Sequence, residues 1–336
     1  MQAAFIEAFG GPDHIRYGEL PDPVPGPRQV LVRTEAVAVD SVDTYVRSGA
    51  WPTPVTFPLA VGRDLAGTVA ATGPEAAEFR PGDRVWTNSA GYGGRPGATA
   101  ELAVVDQDRL YHRPDGAGPV PFVAAVHPAA TAYGALVRRA RLRPGETVAV
   151  AGANGAVGLC LVQVAAAADA HVVAVIRQHG EPADAAPTVR RLHELGANRV
   201  VVVDHIDQAP VAAARGPGGR GVNVLVDATG RMDVSQAARH VDPRGRIVLI
   251  AGRDRRIDLD QWSFYTRELQ LLGFIMSAMG AGELAAAAAW INVHSPAVSV
   301  GQVLTFADAA LAHTLVEQGE LPRLPDGTVG RLVLKP

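Results

Sequence analysis

The stretch "AGANGAVG", Ala151–Gly158, follows "ETVAV" (Glu146–Val150) and precedes a long alanine-rich run. Its glycines, Gly152, Gly155 and Gly158, are spaced G-x-x-G-x-x-G, one residue wider in the first gap than the commoner G-x-G-x-x-G. The physics is the same. Gly152 permits a tight exit from a strand, and Gly155 lets backbone N–H groups approach a pyrophosphate at a positive helix N-terminus. Gly158 lets the helix pack close to the sheet. A glycine turn alone is weak evidence. Here the apolar run Val148–Val150 precedes it, a helical stretch follows, and a second apolar run, Val172–Ile176, comes about 20 residues on. The context points to a dinucleotide site and a parallel sheet buried on both faces.

The end of the second run bears on which dinucleotide. An NAD site usually places Asp or Glu there, to accept from the ribose 2′-hydroxyl. This chain reads "AVIRQHG", with Arg177, Gln178 and His179, and no carboxylate before Glu181. An arginine there suits a 2′-phosphate, which it can grip with two parallel hydrogen bonds. NADPH is therefore the expected cofactor, and a solvated loop arginine is the plainer alternative.

Working outward, "TVRRLHELGA", "RVVVVD", "VNVLVDATG", "VSQAARHVD" and "GRIVLIAG" continue an alternation of helix and strand. Repeated βα units imply an open parallel sheet with right-handed crossovers. The first third differs. "QVLVRTEAVAV" (Gln29–Val39), "DLAGTVAAT", "DRVWTN" and "TAELAVV" read as short strands with Pro and Gly between them. "AAVHPAATAYGALVRRA" has helical composition. The end, "FADAALAHTLVEQGELPRL" then "GRLVLKP", reads as a helix and a strand that returns to the first domain. The expected fold class is α/β: a doubly wound parallel-sheet domain at 119–286, and a β-rich domain at 1–118 and 287–336.

Composition narrows the function. The chain has 336 residues, 48% hydrophobic and 19% charged, with a formal net charge of −3. That suits a soluble globular protein of two domains. No basic run with interleaved aromatics suggests nucleic acid. Cys160 is the only cysteine, so no internal disulfide can form, as in a reducing, cytoplasmic setting. The start, "MQAAFIEAFG", has no basic n-region and is not read as a signal peptide. The most apolar window, Gly155–Ala168, is too short to span a bilayer, so no membrane role is expected.

The chain resembles the medium-chain dehydrogenase/reductase superfamily along nearly its whole length, most of all the zinc-independent quinone oxidoreductases of the zeta-crystallin type. The likeness rests on "DSVDTYVRSG", "VGRDLAGTV", "RPGDRV", "AATAYGAL", "PGETVAVAGANGAVG", "ELGA", "VDATG" and "GRLVLKP", all in the same order. It implies a GroES-like catalytic domain, built from both chain ends, around a Rossmann domain. It also implies a homodimer. Zinc alcohol dehydrogenases of the superfamily take a Cys at the place of Asp40 and a His at the place of Arg63. Arg63 cannot ligate a metal, and its cation would oppose one. A one-cysteine chain also cannot supply a four-cysteine structural site. No metal is expected.

Without a Lewis acid, an already electrophilic acceptor is the easier substrate. The expected reaction is hydride transfer from NADPH to a quinone or an activated enone, with solvent able to supply the proton. By resemblance, Tyr45 contacts cofactor and substrate. Asp40 departs from the Asn usual in quinone reductases, and Asp43 matches a mainly structural acid. Trp51 replaces a tyrosine that 2-enoyl thioester reductases use. The cofactor residues implied are Thr131, Gly152, Asn154, Gly155, Ala156, Val157, Arg177, His205, Ile250, Ala251, Gly252, Arg253, Phe274, Ile275 and Met276. His127, before Pro128, could be an acid or a hydrogen-bonded core histidine. Two other readings stay open: an NADPH-dependent 2-enoyl thioester reductase, and an NADPH-binding protein without turnover.

Overall fold

A computed structural model describes residues 1–177, 182–204, 216–219, 221–252 and 256–336. The chain divides into two compact units. Unit 1 comprises Met1–His127, Met279–Pro322 and Gly330–Pro336, and unit 2 comprises Pro128–Ala278 and Arg323–Val329.

Unit 1 is built on antiparallel strands. The small sheet orders β2 (Arg16–Glu19), β1 (Gln2–Ile6) and β4 (Leu59–Ala60). The large sheet has β3 (Gln29–Ala38) near its middle, with β5 (Asp64–Thr72), β6 (Arg84–Thr87) and β8 (Tyr111–His112) to one side. β7 (Leu102–Asp106) also pairs β3. On the other side lie β16 (Arg331–Lys335) and β15 (Val300–Thr305). β16 pairs antiparallel with β3, Val333 opposite Ala38, which is the return expected of the C-terminal strand. Alternating residues of these strands, Val30, Val32, Leu65, Val85, Leu332 and Leu334 among them, fill the core. Each such side chain contributes about 1.5–3 kcal/mol on burial.

Unit 2 is a six-stranded parallel sheet in the order β11 (Arg199–Val203), β10 (His171–Arg177), β9 (Thr147–Ala151), β12 (Val222–Asp227), β13 (Val241–Leu249), β14 (Gln270–Gly273). Every residue of β9 is buried, as its unbroken apolar run demands of a strand covered on both faces. Because the pairings are parallel, the C-terminal ends of all six strands share one edge.

Some expected boundaries move. The seam expected at 118/119 falls at His127/Pro128, inside α2 (Pro119–Tyr133). The seam expected at 286/287 would cut the helix Ala281–His294, which lies whole in unit 1. There Asn292 accepts from Trp86 Nε1 at 3.0 Å and donates to the His112 carbonyl at 2.9 Å. Residues 323–329 belong to unit 2, because the Val329 N–H donates to the Asn154 carbonyl at 3.0 Å. The helix expected over "VSQAARHVD" is only Val234–Ala238; Val241 is recruited as a strand opposite Val222, and Pro243 could not have continued a helix. The helix expected over 306–324 is Ala309–Gln318, stopped by Gly319 in the left-handed region at φ 71°. The run Pro119–Arg139 is long and apolar enough to cross a membrane, and 67% of its most apolar window is buried inside the protein, as in a core helix.

Candidate active site

Six charged or titratable side chains meet inside unit 1. Asp40 follows β3 and is the N-cap of α1 (Ser41–Ser48). Its backbone N–H donates to Asp43 Oδ2 at 2.8 Å. The pairing of Ala38 with Asp64 sets the first residue of β5 beside the end of β3. Arg331 opens β16, and its Nη2 lies 2.8 Å from Asp40 Oδ1. His127 Nδ1 is 3.4 Å from Asp64 Oδ1 and 3.9 Å from Asp40 Oδ2. Arg63 is buried, with its guanidinium 4.8 Å above the centre of the Tyr92 ring, a cation–π contact. Asp40, Asp43, Asp64 and Arg331 are buried as well.

Burial disfavours each charge, and the neighbours decide which survive. Burial pushes Asp43 up to about 8, and the Asp40 charge adds to it. Burial, then Asp40, likewise raises Asp64 well above the ordinary carboxylate range. Burial acts on Asp40 too, but the charges of Arg331 and His127 overcome it and hold Asp40 below its ordinary value. Burial lowers His127. These neighbours favour the charged form of Asp40 and the protonated forms of Asp43 and Asp64. Ligand atoms of Asp40, Asp64 and His127 lie within 4.8 Å of one another, close enough for a small metal site. Two guanidinium cations share that cluster, and a dication would add to their charge.

Beside the cluster, α1 ends and the chain turns through Trp51. Its backbone N–H donates to the Tyr45 carbonyl at 3.1 Å, and its indole N–H to Tyr92 Oη at 3.3 Å. Tyr45 is 48% exposed.

In unit 2, β9 leads into the turn and α3 (Ala156–Ala167). Gly152 has φ 82°, and a Cβ there would lie 2.6 Å from Thr229 Cγ2. A Cβ on Gly158 would stand 2.1 Å from the Gly152 carbonyl oxygen, so only glycine lets α3 pack this closely. The amides of Ala156, Val157 and Gly158 start the helix with no carbonyl four residues back. Asn154 is held from the C-terminal segment, donating to the Gly327 carbonyl at 3.4 Å. Asp227, at the end of β12, accepts from the Thr229 N–H at 2.8 Å and the Gly230 N–H at 3.1 Å, which shapes the neighbouring turn.

Comparison with known proteins matches residues 26–115 to an alcohol dehydrogenase GroES-like domain, and residues 156–292 to the zinc-binding dehydrogenase domain. A quinone oxidoreductase of Pseudomonas aeruginosa is 33% identical over 251 residues, 72% of this chain and 70% of its own length. This chain belongs to the quinone-oxidoreductase-like family of the medium-chain dehydrogenase/reductase superfamily. It is an oxidoreductase of the medium-chain type. Its fold matches a solved NAD-dependent alcohol dehydrogenase at 27% identity and TM-score 0.83, covering all of both chains. It also matches a mycobacterial protein complexed with NADPH at 28% identity and TM-score 0.80, again covering all of both chains.

In this medium-chain oxidoreductase, most of the cofactor residues expected from sequence lie along one sheet edge of unit 2. Gly152, Asn154, Gly155, Ala156 and Val157 follow β9. Arg177 is the exposed last residue of β10. Ile250, Ala251 and Gly252 follow β13, and Phe274, Ile275 and Met276 follow β14, where the Phe274 N–H donates to the Leu249 carbonyl at 3.0 Å. Thr131 is buried in the helix Pro119–Tyr133. His205 and Arg253 lie outside the described residues. In unit 1, Asp40 sits inside the charged cluster, while Tyr45 and Trp51 lie on the α1 side of it. Sequence reasoning missed Asp64, Arg331 and Tyr92. No local spacing marks them; Arg331 and Asp64 join Asp40 only through the pairing of β16 and β5 with β3.

Proposed function

We propose that this oxidoreductase reduces a quinone or an activated enone with hydride from NADPH, without zinc. The observation that carries this reading is the occupation of the charged cluster by two guanidinium groups, Arg63 and Arg331. The residue set does not suit a zinc ion: Arg63 cannot ligate one, Arg331 already takes Asp40 Oδ1, and burial disfavours the ionised form of Asp64 that a metal would need. An acceptor that needs no Lewis acid is therefore favoured. The relatives named quinone oxidoreductases support the same substrate class.

Bound NADPH supplies the hydride. The amides of Ala156 and Val157, at the N-terminus of α3, suit its pyrophosphate. Arg177 stands where the second strand delivers its last residue to the adenosine ribose, and its guanidinium suits the 2′-phosphate. The likeness to a mycobacterial protein complexed with NADPH agrees. Thr131, Ile250–Gly252 and Phe274–Met276 are assigned to the rest of the cofactor, and Tyr45 and Trp51 to the substrate.

The test is NADPH oxidation with a panel of quinones and enones, alongside metal analysis of the purified protein. Turnover in metal-free protein that a chelator leaves unchanged is expected. Near-stoichiometric zinc, with activity lost to chelator and restored by zinc, overturns the zinc-free reading. Cofactor binding with no turnover of any acceptor overturns the substrate class.

A further inference from the structure

The loop 88–97 carries a phenol for which the functional reading above has no use. Tyr92 sits between Gly91 at φ 61° and Gly93 at φ 63°. The left-handed backbone on both sides fixes the direction of its side chain at positions where other residues are strained. The loop is bound to the segment after α1 by two further hydrogen bonds: the Gly93 N–H donates to Thr53 Oγ1 at 2.8 Å, and the Gly94 N–H to the Pro54 carbonyl at 2.9 Å. Arg95 Nε anchors its other end on the Ser89 carbonyl at 2.7 Å. A Cβ on Gly91 would approach the Gly62 carbonyl oxygen to 2.7 Å, so the loop also lies tight against the segment that carries Arg63.

The chemistry of the phenol is set by its two neighbours. An indole N–H can only donate, so Trp51 Nε1–H fills an acceptor position on Tyr92 Oη. Among the described residues, that oxygen accepts this bond and donates none, which leaves its own proton for an incoming acceptor. Beneath the ring lies the buried Arg63 guanidinium. Trp51 and Tyr92 are both only partly buried.

We propose that the Tyr92 hydroxyl hydrogen-bonds the carbonyl oxygen of the substrate and gives up its proton there as hydride arrives. This rests on the reading of the chain as a reductase of quinones or enones. Hydride adds to the β-carbon of the conjugated acceptor, the C=C pair shifts to the bond beside the carbonyl, and the carbonyl π pair moves to oxygen, giving an enol that tautomerises in water. The Tyr92 O–H bond breaks as the new O–H bond forms, leaving a phenolate beside Arg63. Water returns the proton. Trp51 is a positioning residue in this scheme, orienting the phenol through its indole N–H.

The experiment uses Tyr92→Phe and Trp51→Phe, each checked for a wild-type near-UV CD spectrum and unfolding midpoint. Losing one preorganised donor to a developing oxyanion lowers kcat by about 100- to 1,000-fold. Tyr92→Phe is expected to do so with 1,4-benzoquinone and with 2-cyclohexenone, with KM changed less than about threefold and NADPH affinity unchanged. A second readout needs no turnover. Cyclohexanone bound to the NADP⁺ complex presents a carbonyl that cannot be reduced, and Tyr92→Phe should weaken it by about 3- to 10-fold. Trp51→Phe should give a smaller loss of kcat in the same direction. An active wild type with Tyr92→Phe retaining kcat within about threefold overturns the assignment of Tyr92. A wild type that binds cyclohexanone through Tyr92 but reduces no acceptor overturns the reductase reading and leaves the carbonyl-binding role of Tyr92 standing.

Discussion

The glycine turn of unit 2 and the charged cluster of unit 1 are built in opposite ways. The turn is contiguous, Gly152 to Gly158, and its proposed chemistry is backbone amides at a helix start. Its requirements are local: a strand, residues without side chains, a helix. The cluster is made of side chains from Asp40, Asp43, Arg63, Asp64, His127 and Arg331, brought together from four separate stretches of the chain. Substitution at the rim of the turn is expected to leave the fold undisturbed. Loss of Arg331 from the cluster leaves the Asp40 charge buried without its main partner.

The sharpest break of that comparison is Arg331→Met. It removes the guanidinium 2.8 Å from Asp40 Oδ1 and leaves a buried carboxylate without its main partner. Removing one partner of a buried pair costs about 3–5 kcal/mol. Denaturant unfolding is expected to show a loss of that size, and adding Asp40→Asn should restore part of it. A loss below about 1 kcal/mol would mean that the cluster tolerates change as readily as the turn.

At the rim of the dinucleotide site the expected effect is smaller and falls on binding alone. Arg177→Ala should lower the preference for NADPH over NADH by about 10- to 100-fold, the worth of one or two charge-assisted hydrogen bonds. Thermal stability should stay near wild type, because Arg177 is exposed. Paired titrations with both cofactors measure the preference. A wild type that prefers NADH, or a mutant that keeps its preference, would make Arg177 an ordinary loop residue.

The pH dependence separates the two regions most gently. Asp43 is pushed up to about 8 in the folded protein, against about 4 in an unfolded chain. The folded state therefore binds the extra proton. That stability is fully present below about pH 4 and is lost as pH rises through about 8. Asp64, raised in the same direction, adds to the slope. Asp40, lowered, contributes in the opposite sense: its share is present above its unfolded value and is lost as the pH falls. Each extra proton is worth up to about 1.4 kcal/mol per pH unit. Asp43→Asn keeps an oxygen for the Asp40 N–H and should flatten the fall in unfolding free energy between pH 5 and 8. An equally steep curve in the mutant would place the titrating group elsewhere.

The sequence by itself determined the turn, the strand ending at Arg177 and the βα alternation. Those features rest on local rules: strand periodicity, the backbone freedom of glycine, and the residue at the end of a strand. Boundaries were less legible. "VSQAARHVD" gave up its second half to a strand because Val222 offered Val241 a partner, which no helix propensity within the segment could foretell. The raised pKa of Asp43 and Asp64 and the partner of His127 come only from tertiary structure, as does the meeting of Trp51 with Tyr92. His127 alone in an apolar helix is ambiguous between acid and core residue. It becomes part of a cluster because the antiparallel pairings of β3 with β5 and β16 bring Asp64 and Arg331 to Asp40. A pKa depends on burial and on charges within a few ångströms, and for these residues both are properties of the folded sheet rather than of neighbours along the chain.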